Sequence, residues 1–179
     1  RADWLENFVS VSPRASFDQA GPFTIEFDLD AGIDDPGGTS GDWAAIVFGA
    51  SRPNVFVNAS DGMGILFRNN GPIQVFDGGT SVYGGDGAIP GGIPLGQIHV
   101  RIEVDVADFY GGSPATVRLF INDVQAKINA GDTLEYVKAS GFFASYSPIY
   151  GSCSQGERNT DGTMDNLRDV LPRPRFFLD

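Results

Sequence analysis

Carboxylates stand at every second position in two stretches of the sequence. Glu26, Asp28 and Asp30 form one stretch, and Glu103 and Asp105 form the other. Because side chains at period two share one face of a β-strand, each stretch would place its carboxylates side by side. Paired carboxylates could serve as acid and base in glycoside hydrolysis. No tryptophan that could stack on a substrate accompanies either stretch, so we interpret these groups as ordinary outward residues rather than a hydrolase site.

The single histidine of the chain, His99, is a second candidate for chemistry. Its triplet Gln97-Ile98-His99 resembles the QIH signature of jelly-roll alginate lyases, and the stretch beginning at Tyr136 loosely resembles another strand of those enzymes. In such lyases a His and a Tyr handle the proton α to a uronate carboxylate. Since His99 also alternates with Val100 like an ordinary strand residue, a polysaccharide lyase is kept as an alternative only.

Polar and aromatic residues that alternate with apolar ones predict a sugar-binding face. Aromatic rings stack on the apolar faces of pyranoses, while Arg, Gln and Glu side chains hydrogen-bond the hydroxyl groups. Three arginines on neighbouring strands would suit a uronate or a sulfated glycan, although cross-strand Arg–Glu pairing on a solvated sheet would leave the same pattern. A loop rim that carries Tyr83, Tyr110, Tyr146 and Tyr150 is the other possible site. The residues predicted for the face are Arg68, Gln74, Phe76, Arg101, Glu103, Arg118 and Phe120.

The composition of the chain limits the classes of partner that it can bind and the bonds that it can form. A net charge of -11 and a pI of about 4.3 argue against nucleic acid, because phosphate binding needs a basic face. No stretch is long and apolar enough to predict a membrane span. One cysteine excludes an internal disulfide. The 179 residues fit one domain, 1–179, in which residues 23–170 form the core and residues 171–179 a tail.

The elements that must position these residues are β-strands. Asn69-Asn70-Gly71 and Asn122-Asp123 predict tight turns between strands. Two segments, 78–96 and 146–161, have no clear strand pattern and are predicted as long loops, the first rich in glycine. Alternating or continuous apolar patterns predict strands over 23–29, 43–50, 64–69, 72–77, 98–106, 115–122, 124–128, 134–143 and 163–170.

Two motifs carry a resemblance to a known fold family. Phe23-Thr24-Ile25-Glu26-Phe27-Asp28-Leu29 resembles an early strand, and Gly162-Thr163-Met164-Asp165-Asn166-Leu167-Arg168 the last strand, of the concanavalin A-like or laminin-G-like jelly roll. The resemblance implies an all-β, antiparallel β-sandwich. It also implies a structural Ca²⁺ near the first and last strands, for which Asp165 would supply a ligand and Asp28 or Asp30 a partner, since calcium takes oxygen ligands.

The resemblance covers about residues 23–170 and predicts the fold more sharply than the function. This fold family includes lectins, carbohydrate-binding modules, hydrolases, lyases and structural surface modules. We expect a non-catalytic, extracellular module that binds carbohydrate or mediates adhesion, with a polysaccharide as its partner. A structural subunit of a filament, sheath, virion or surface layer is the main alternative. In that case the tail, which holds Phe176-Phe177, could mediate self-assembly.

Overall fold

The computed structural model describes an arrangement of β-strands. It describes residues 2–3, 9–11, 22–30, 43–48, 62–68, 71–85, 87–94, 96–107, 113–131, 133–139, 149–154 and 163–170. For residues 2–3, 9–11, 30, 43, 149–154 and 163–170 only the backbone is described. The strands are β1 (Ala2–Asp3), β2 (Val9–Val11), β3 (Phe23–Asp30), β4 (Trp43–Phe48), β5 (Met63–Arg68), β6 (Ile73–Asp77), β7 (Thr80–Gly85), β8 (Gln97–Val106), β9 (Ala115–Ile121), β10 (Val124–Gln125), β11 (Tyr136–Lys138), β12 (Ile149–Ser154) and β13 (Thr163–Val170).

These strands form two antiparallel sheets. The first sheet has the order β1-β13-β3-β8-β9-β10, with β11 also paired to β9. The second sheet has the order β2-β12-β4-β5-β6-β7. Every pairing between strands is antiparallel. The predicted all-β, antiparallel β-sandwich is therefore confirmed.

The core lies between the two sheets and is built by alternation. In β3 the side chains of Phe23, Ile25, Phe27 and Leu29 are at most 2% exposed, while the residues between them face away. Strands β8 and β9 repeat the pattern, and β4, β5 and β6 supply the opposite layer of the same cluster. At the contact between layers, Phe27 and Phe67 pack edge to face, with ring centroids 6.4 Å apart. Period-two patterning thus determines which side of each strand is buried.

The structure corrects the two predicted loops. Segment 78–96 contains β7, which pairs with β6, and segment 146–161 contains β12, which pairs with both β2 and β4. Both strands contain glycine, which lowers β-propensity, so pairing with a formed neighbour determines the conformation instead of the local pattern. The strand predicted over 134–143 is described only as β11, and that over 124–128 only as β10.

Part of the glycine-rich segment that follows β7 also packs onto the core. Ala88 and Ile89 are buried within the main cluster. The backbone carbonyl of Ala88 accepts a hydrogen bond of 2.8 Å from the Lys127 amide, and that of Val82 accepts one of 2.9 Å from Ala130. The segment after β7 therefore closes one side of the core as the chain passes from the second sheet to the first.

A polar cluster joins the two layers. Asp77, at the end of β6 in the second sheet, accepts a hydrogen bond of 2.6 Å at Oδ2 from the hydroxyl of Tyr136 in β11 of the first sheet. The Lys138 ammonium pairs with Asp77 Oδ1. Lys138 is only 3% exposed, so this carboxylate supplies the partner that a buried charge requires. Burial, and then the hydrogen bond to Asp77, raise the pKa of Tyr136, which keeps its hydroxyl a donor.

We expect Asp77→Ala to lower the free energy of unfolding by about 3 kcal/mol, because Lys138 would be left buried without its carboxylate. Urea unfolding measures this change. Asp105→Ala, at an exposed position of β8, is the control and should change stability by less than about 0.5 kcal/mol. Replacing both partners of the ion pair, as in Asp77→Leu with Lys138→Met, should recover most of the loss. Equal stabilities of Asp77→Ala and the control would contradict the assignment.

Candidate functional site

The seven residues predicted for one sugar-binding face lie on two different faces. Arg101, Glu103, Arg118 and Phe120 belong to β8 and β9 of the first sheet. Each alternates with core residues, so these four lie on the outer face of that sheet. The other three, Arg68, Gln74 and Phe76, lie on the outer face of the second sheet in β5 and β6. The core separates the two groups, so the prediction of a single site with three converging arginines is wrong.

On the first sheet the four residues pair with one another and with their neighbours. Arg101 stacks over the ring of Phe120, 3.8 Å from its centroid, and forms an ion pair with Glu103. A second nitrogen of Arg101 lies 3.7 Å from the Asp123 carboxylate. Arg118 stands opposite Glu103 in the strand register and donates a 2.6 Å hydrogen bond to Glu135.

These contacts are Arg–Glu pairs on the outer face of a sheet, as the sequence also allowed, although Arg101 and Glu103 lie on the same strand. The hydrogen bond to Glu135 raises the pKa of Arg118, so the guanidinium stays charged beside its carboxylate. One face of the Phe120 ring is covered by a guanidinium, and that coverage competes with stacking by a sugar. These two arginines on the outer face of the first sheet are therefore already paired with carboxylates of the same face.

The outer face of the second sheet is built differently, in two cross-strand rows. One row runs through Val47, Gly64, Phe76 and Ser81, and the other through Ala45, Leu66, Gln74 and Gly84. Most of these side chains are small. Ala45, Val47 and Leu66 are buried and form a second apolar cluster against which Phe76 packs. Exposure then increases toward the edge of the sheet: Gln74 and Phe76 in β6 are half-buried, and Ser81 and Gly84 in the edge strand β7 are exposed.

A fixed arginine borders this face. Both Nε and a terminal nitrogen of Arg68 donate to Gln74 Oε1, at 2.9 and 2.7 Å. The turn after β5 holds Arg68 in place: its backbone pairs with Pro72 and Gly71, and Gly71 supplies the positive φ of 102°. Because the amide oxygen is used in this way, the amide nitrogen of Gln74 is directed away from Arg68. We call the surface formed by Arg68, Gln74, Phe76, Ser81 and Gly84 the edge patch.

Sequence reasoning identified three members of the edge patch and missed Ser81 and Gly84. Both lie in β7, within the glycine-rich segment that was predicted as a loop. The signal that could have found them is the stretch Thr80 to Gly85, in which Val82 and Tyr83 interrupt small residues directly after a Gly-Gly turn. Tyr83, predicted for a loop rim, is instead buried in the core. Tyr110, Tyr146 and the side chain of Tyr150 lie outside the described residues, as does the 171–179 tail.

The two residues of the lyase alternative do not meet. His99 lies on the outer face of the first sheet, where Nδ1 is 2.9 Å from Asp28 Oδ1. Tyr136 aligns with the core residue Val117 and bonds Asp77 between the layers. The His99 backbone exchanges hydrogen bonds with Asn122, whose φ of 47° belongs to the predicted turn before β10. With His99 and Tyr136 on opposite faces of one sheet, they cannot act on the same proton.

The predicted calcium ligands fall close together in the strand register. Asp165 is aligned with Asp28, and Asp30 is aligned with Thr163, so β3 and β13 bring the expected positions together. His99 is aligned with Asp28 on the other side. Within the described side chains there is no group of three or more His, Cys, Asp or Glu that could hold a metal. The side chains of Asp30 and Asp165 lie outside that set, and calcium stays a prediction.

Comparison with known proteins adds one distant likeness. No protein-family model matches the sequence, and no curated protein matches it. Among solved structures the chain is similar to sheep galectin-11, which was solved as a complex with glycerol. The identity is 7% and the TM-score 0.43, and the match covers 92% of this chain and 96% of the galectin chain. The fold assignment rests on the strand pairing described above, and this likeness adds no argument about a ligand. No helix long and apolar enough to cross a membrane occurs in the described part of the chain.

If calcium binds at Asp28, adding CaCl2 to chelator-treated protein should raise Tm by roughly 5 °C at saturation, because a ligand that binds only the folded state stabilises it. Differential scanning fluorimetry measures this shift. Asp28→Asn should abolish the shift, whereas Asp105→Asn, at an exposed position of β8, should retain it. The same Tm with calcium and with EDTA would exclude a structural calcium.

Proposed function

We propose that this chain is a non-catalytic carbohydrate-binding module of the concanavalin A-like class, and that it binds a glycan on the edge patch. The observation that carries the proposal is the partly exposed Phe76 ring, which stands between Gly64 and Ser81 in the register and beside the fixed Arg68–Gln74 pair. Sugar recognition needs two components close together, an aromatic ring on which the sugar stacks and a planar donor group that binds its hydroxyls.

The geometry of β6 places the aromatic ring and the donor group within reach of one sugar. Gln74 and Phe76 are two residues apart on one face of β6, which separates them by roughly 7 Å along the strand. Gly64 stands opposite Phe76 in the register, so the position directly across from the ring on β5 carries no side chain, and Leu66 lies diagonally from it. A pyranose could then lie on the ring while its hydroxyl groups reach the amide of Gln74 or the guanidinium of Arg68.

The outer face of the first sheet supports the proposal less well. Its arginines form ion pairs with Glu103, Asp123 and Glu135, and a glycan would have to displace those carboxylates. The overall charge of -11 also opposes a polyanionic ligand at long range. We therefore favour the edge patch as the binding surface. An extracellular location and a role in adhesion belong to the same proposal, since polysaccharides of this kind are encountered outside the cell.

Native gels cast with laminarin, xylan, pectin, alginate or carrageenan test the function. We expect retardation of the wild-type chain by at least one of these polysaccharides. Phe76→Ala should weaken that binding about tenfold, the equivalent of roughly 1.4 kcal/mol for a lost stacking contact. Gel mobility as a function of polysaccharide concentration gives the apparent Kd.

Phe120→Ala is the matched control, because it removes the same ring from the outer face of the opposite sheet. It should leave the apparent Kd unchanged. Equal weakening by both substitutions, or weakening by Phe120→Ala alone, would move the site away from the edge patch. Retardation by none of the five polysaccharides would contradict the proposed function and favour the structural-subunit alternative. Circular dichroism of each variant verifies that the sheets are retained.

A further inference from the structure

Two adjacent glycines, Gly84 and Gly85, end the edge strand β7. Glycine weakens a strand, and within strands it often marks a place where a ligand or another backbone approaches closely. Neither residue has the positive φ that would require glycine for conformational reasons. Their backbone would accept an L side chain, so the reason for glycine has to be sought in what surrounds each position.

The surroundings of the two glycines differ. Gly84 is aligned with Gln74 on the outer face, while Gly85 is aligned with the core residue Ile73. A Cβ at Gly84 would lie 3.6 Å from Gln74 Nε2 and 3.7 Å from its Cγ, which are ordinary van der Waals distances. A side chain would therefore fit at Gly84, but it would rest on the amide group of Gln74.

We propose that Gly84 keeps the Gln74 amide open toward β7, and that the glycan, one sugar of which stacks on Phe76, lies across the strands from Arg68 over Gln74 onto Gly84. This inference rests on the proposed function and specifies how the ligand lies. Adjacent strands are about 4.8 Å apart, so a path from β5 to β7 spans roughly 10 Å, more than one sugar ring. The ligand class that fits is an oligosaccharide or the interior of a polysaccharide, bound along its length.

The exposure of the face agrees with this direction. The β4 and β5 residues Ala45, Val47 and Leu66 are buried, whereas Ser81 and Gly84 are exposed. The accessible part of the face therefore begins near Phe76 and Gln74 and continues to the edge strand. A ligand that extends beyond one sugar gains contact by running over β7.

Gly84→Ala and Gly85→Ala form a matched pair of variants for the test. A Cβ at Gly85 would meet Tyr83 Oη and the Gly87 amide only at 4.0 Å, so both alanines fit. Both should retain or raise Tm, because replacing glycine at a compatible backbone position restricts the unfolded chain. Affinity gels with laminarin and xylan measure binding, and free xylose and xylohexaose, or glucose and laminarihexaose, serve as competitors.

We expect Gly84→Ala to weaken retardation about fivefold, Gly84→Val to weaken it further, and Gly85→Ala to leave it unchanged. The hexasaccharide should compete at a concentration at least ten times lower than that of the single sugar. The inference fails, and the proposed function stands, if Phe76→Ala weakens binding while Gly84→Ala does not. The same conclusion follows if Gly84→Ala and Gly85→Ala weaken binding equally. If none of laminarin, xylan, pectin, alginate and carrageenan retards the wild-type chain, the proposed function itself fails.

Discussion

The apolar faces of the two sheets pack against each other, and Phe27 and Phe67 meet edge to face between the layers. Each strand of the core offers only one of its two faces to that contact, because successive side chains point in opposite directions. All functional chemistry on the strands must then occur on one of the two outer faces or at an edge. Two residues with the same outward position in the alternating pattern, such as Arg68 and Arg101, can therefore lie on opposite sheets, where one ligand cannot contact both.

The layers are also joined by polar contacts at one edge. Asp77 of the second sheet accepts hydrogen bonds from Tyr136 and Lys138, which begin and end the short strand β11 of the first sheet. A buried ion pair adds little net stability compared with apolar packing, but a displaced partner leaves an uncompensated charge. The cluster therefore favours one alignment of β11 against β6 over others. Nearby, the segment after β7 covers the core through Ala88 and Ile89, so the chain closes the sandwich directly after it leaves the edge patch.

The two outer faces differ in how their polar groups are satisfied. On the first sheet, charges of opposite sign stand within reach of one another, and the guanidinium of Arg101 covers the ring of Phe120. On the second sheet, Gly64 and Ser81 stand opposite Phe76, and Arg68 donates to the neutral amide of Gln74. A surface of the first kind gains little by exchanging its partners for a ligand, since each new contact replaces an existing one. A surface of the second kind offers an aromatic ring and amide hydrogens without that exchange.

The sequence by itself determined the class of fold. Alternation in β3, β8 and β9 predicted both the strands and their buried faces, and Asn122-Asp123 predicted a turn that the positive φ values of both residues confirm. These features are local, because a period of two and a preference for positive φ act within a few residues. The strands β7 and β12 were missed, since their glycines remove the local signal and only pairing with a neighbouring strand defines them.

Only the tertiary structure decided which residues share a surface. Alternation shows that Arg68, Arg101 and Arg118 face outward, but it does not show from which layer, because strand order depends on long-range pairing. It likewise could not show that His99 and Tyr136 lie on opposite faces, or that Gly84 stands beside Gln74. Those relations arise from contacts between residues far apart in the chain, whose free energies depend on the whole sandwich being formed.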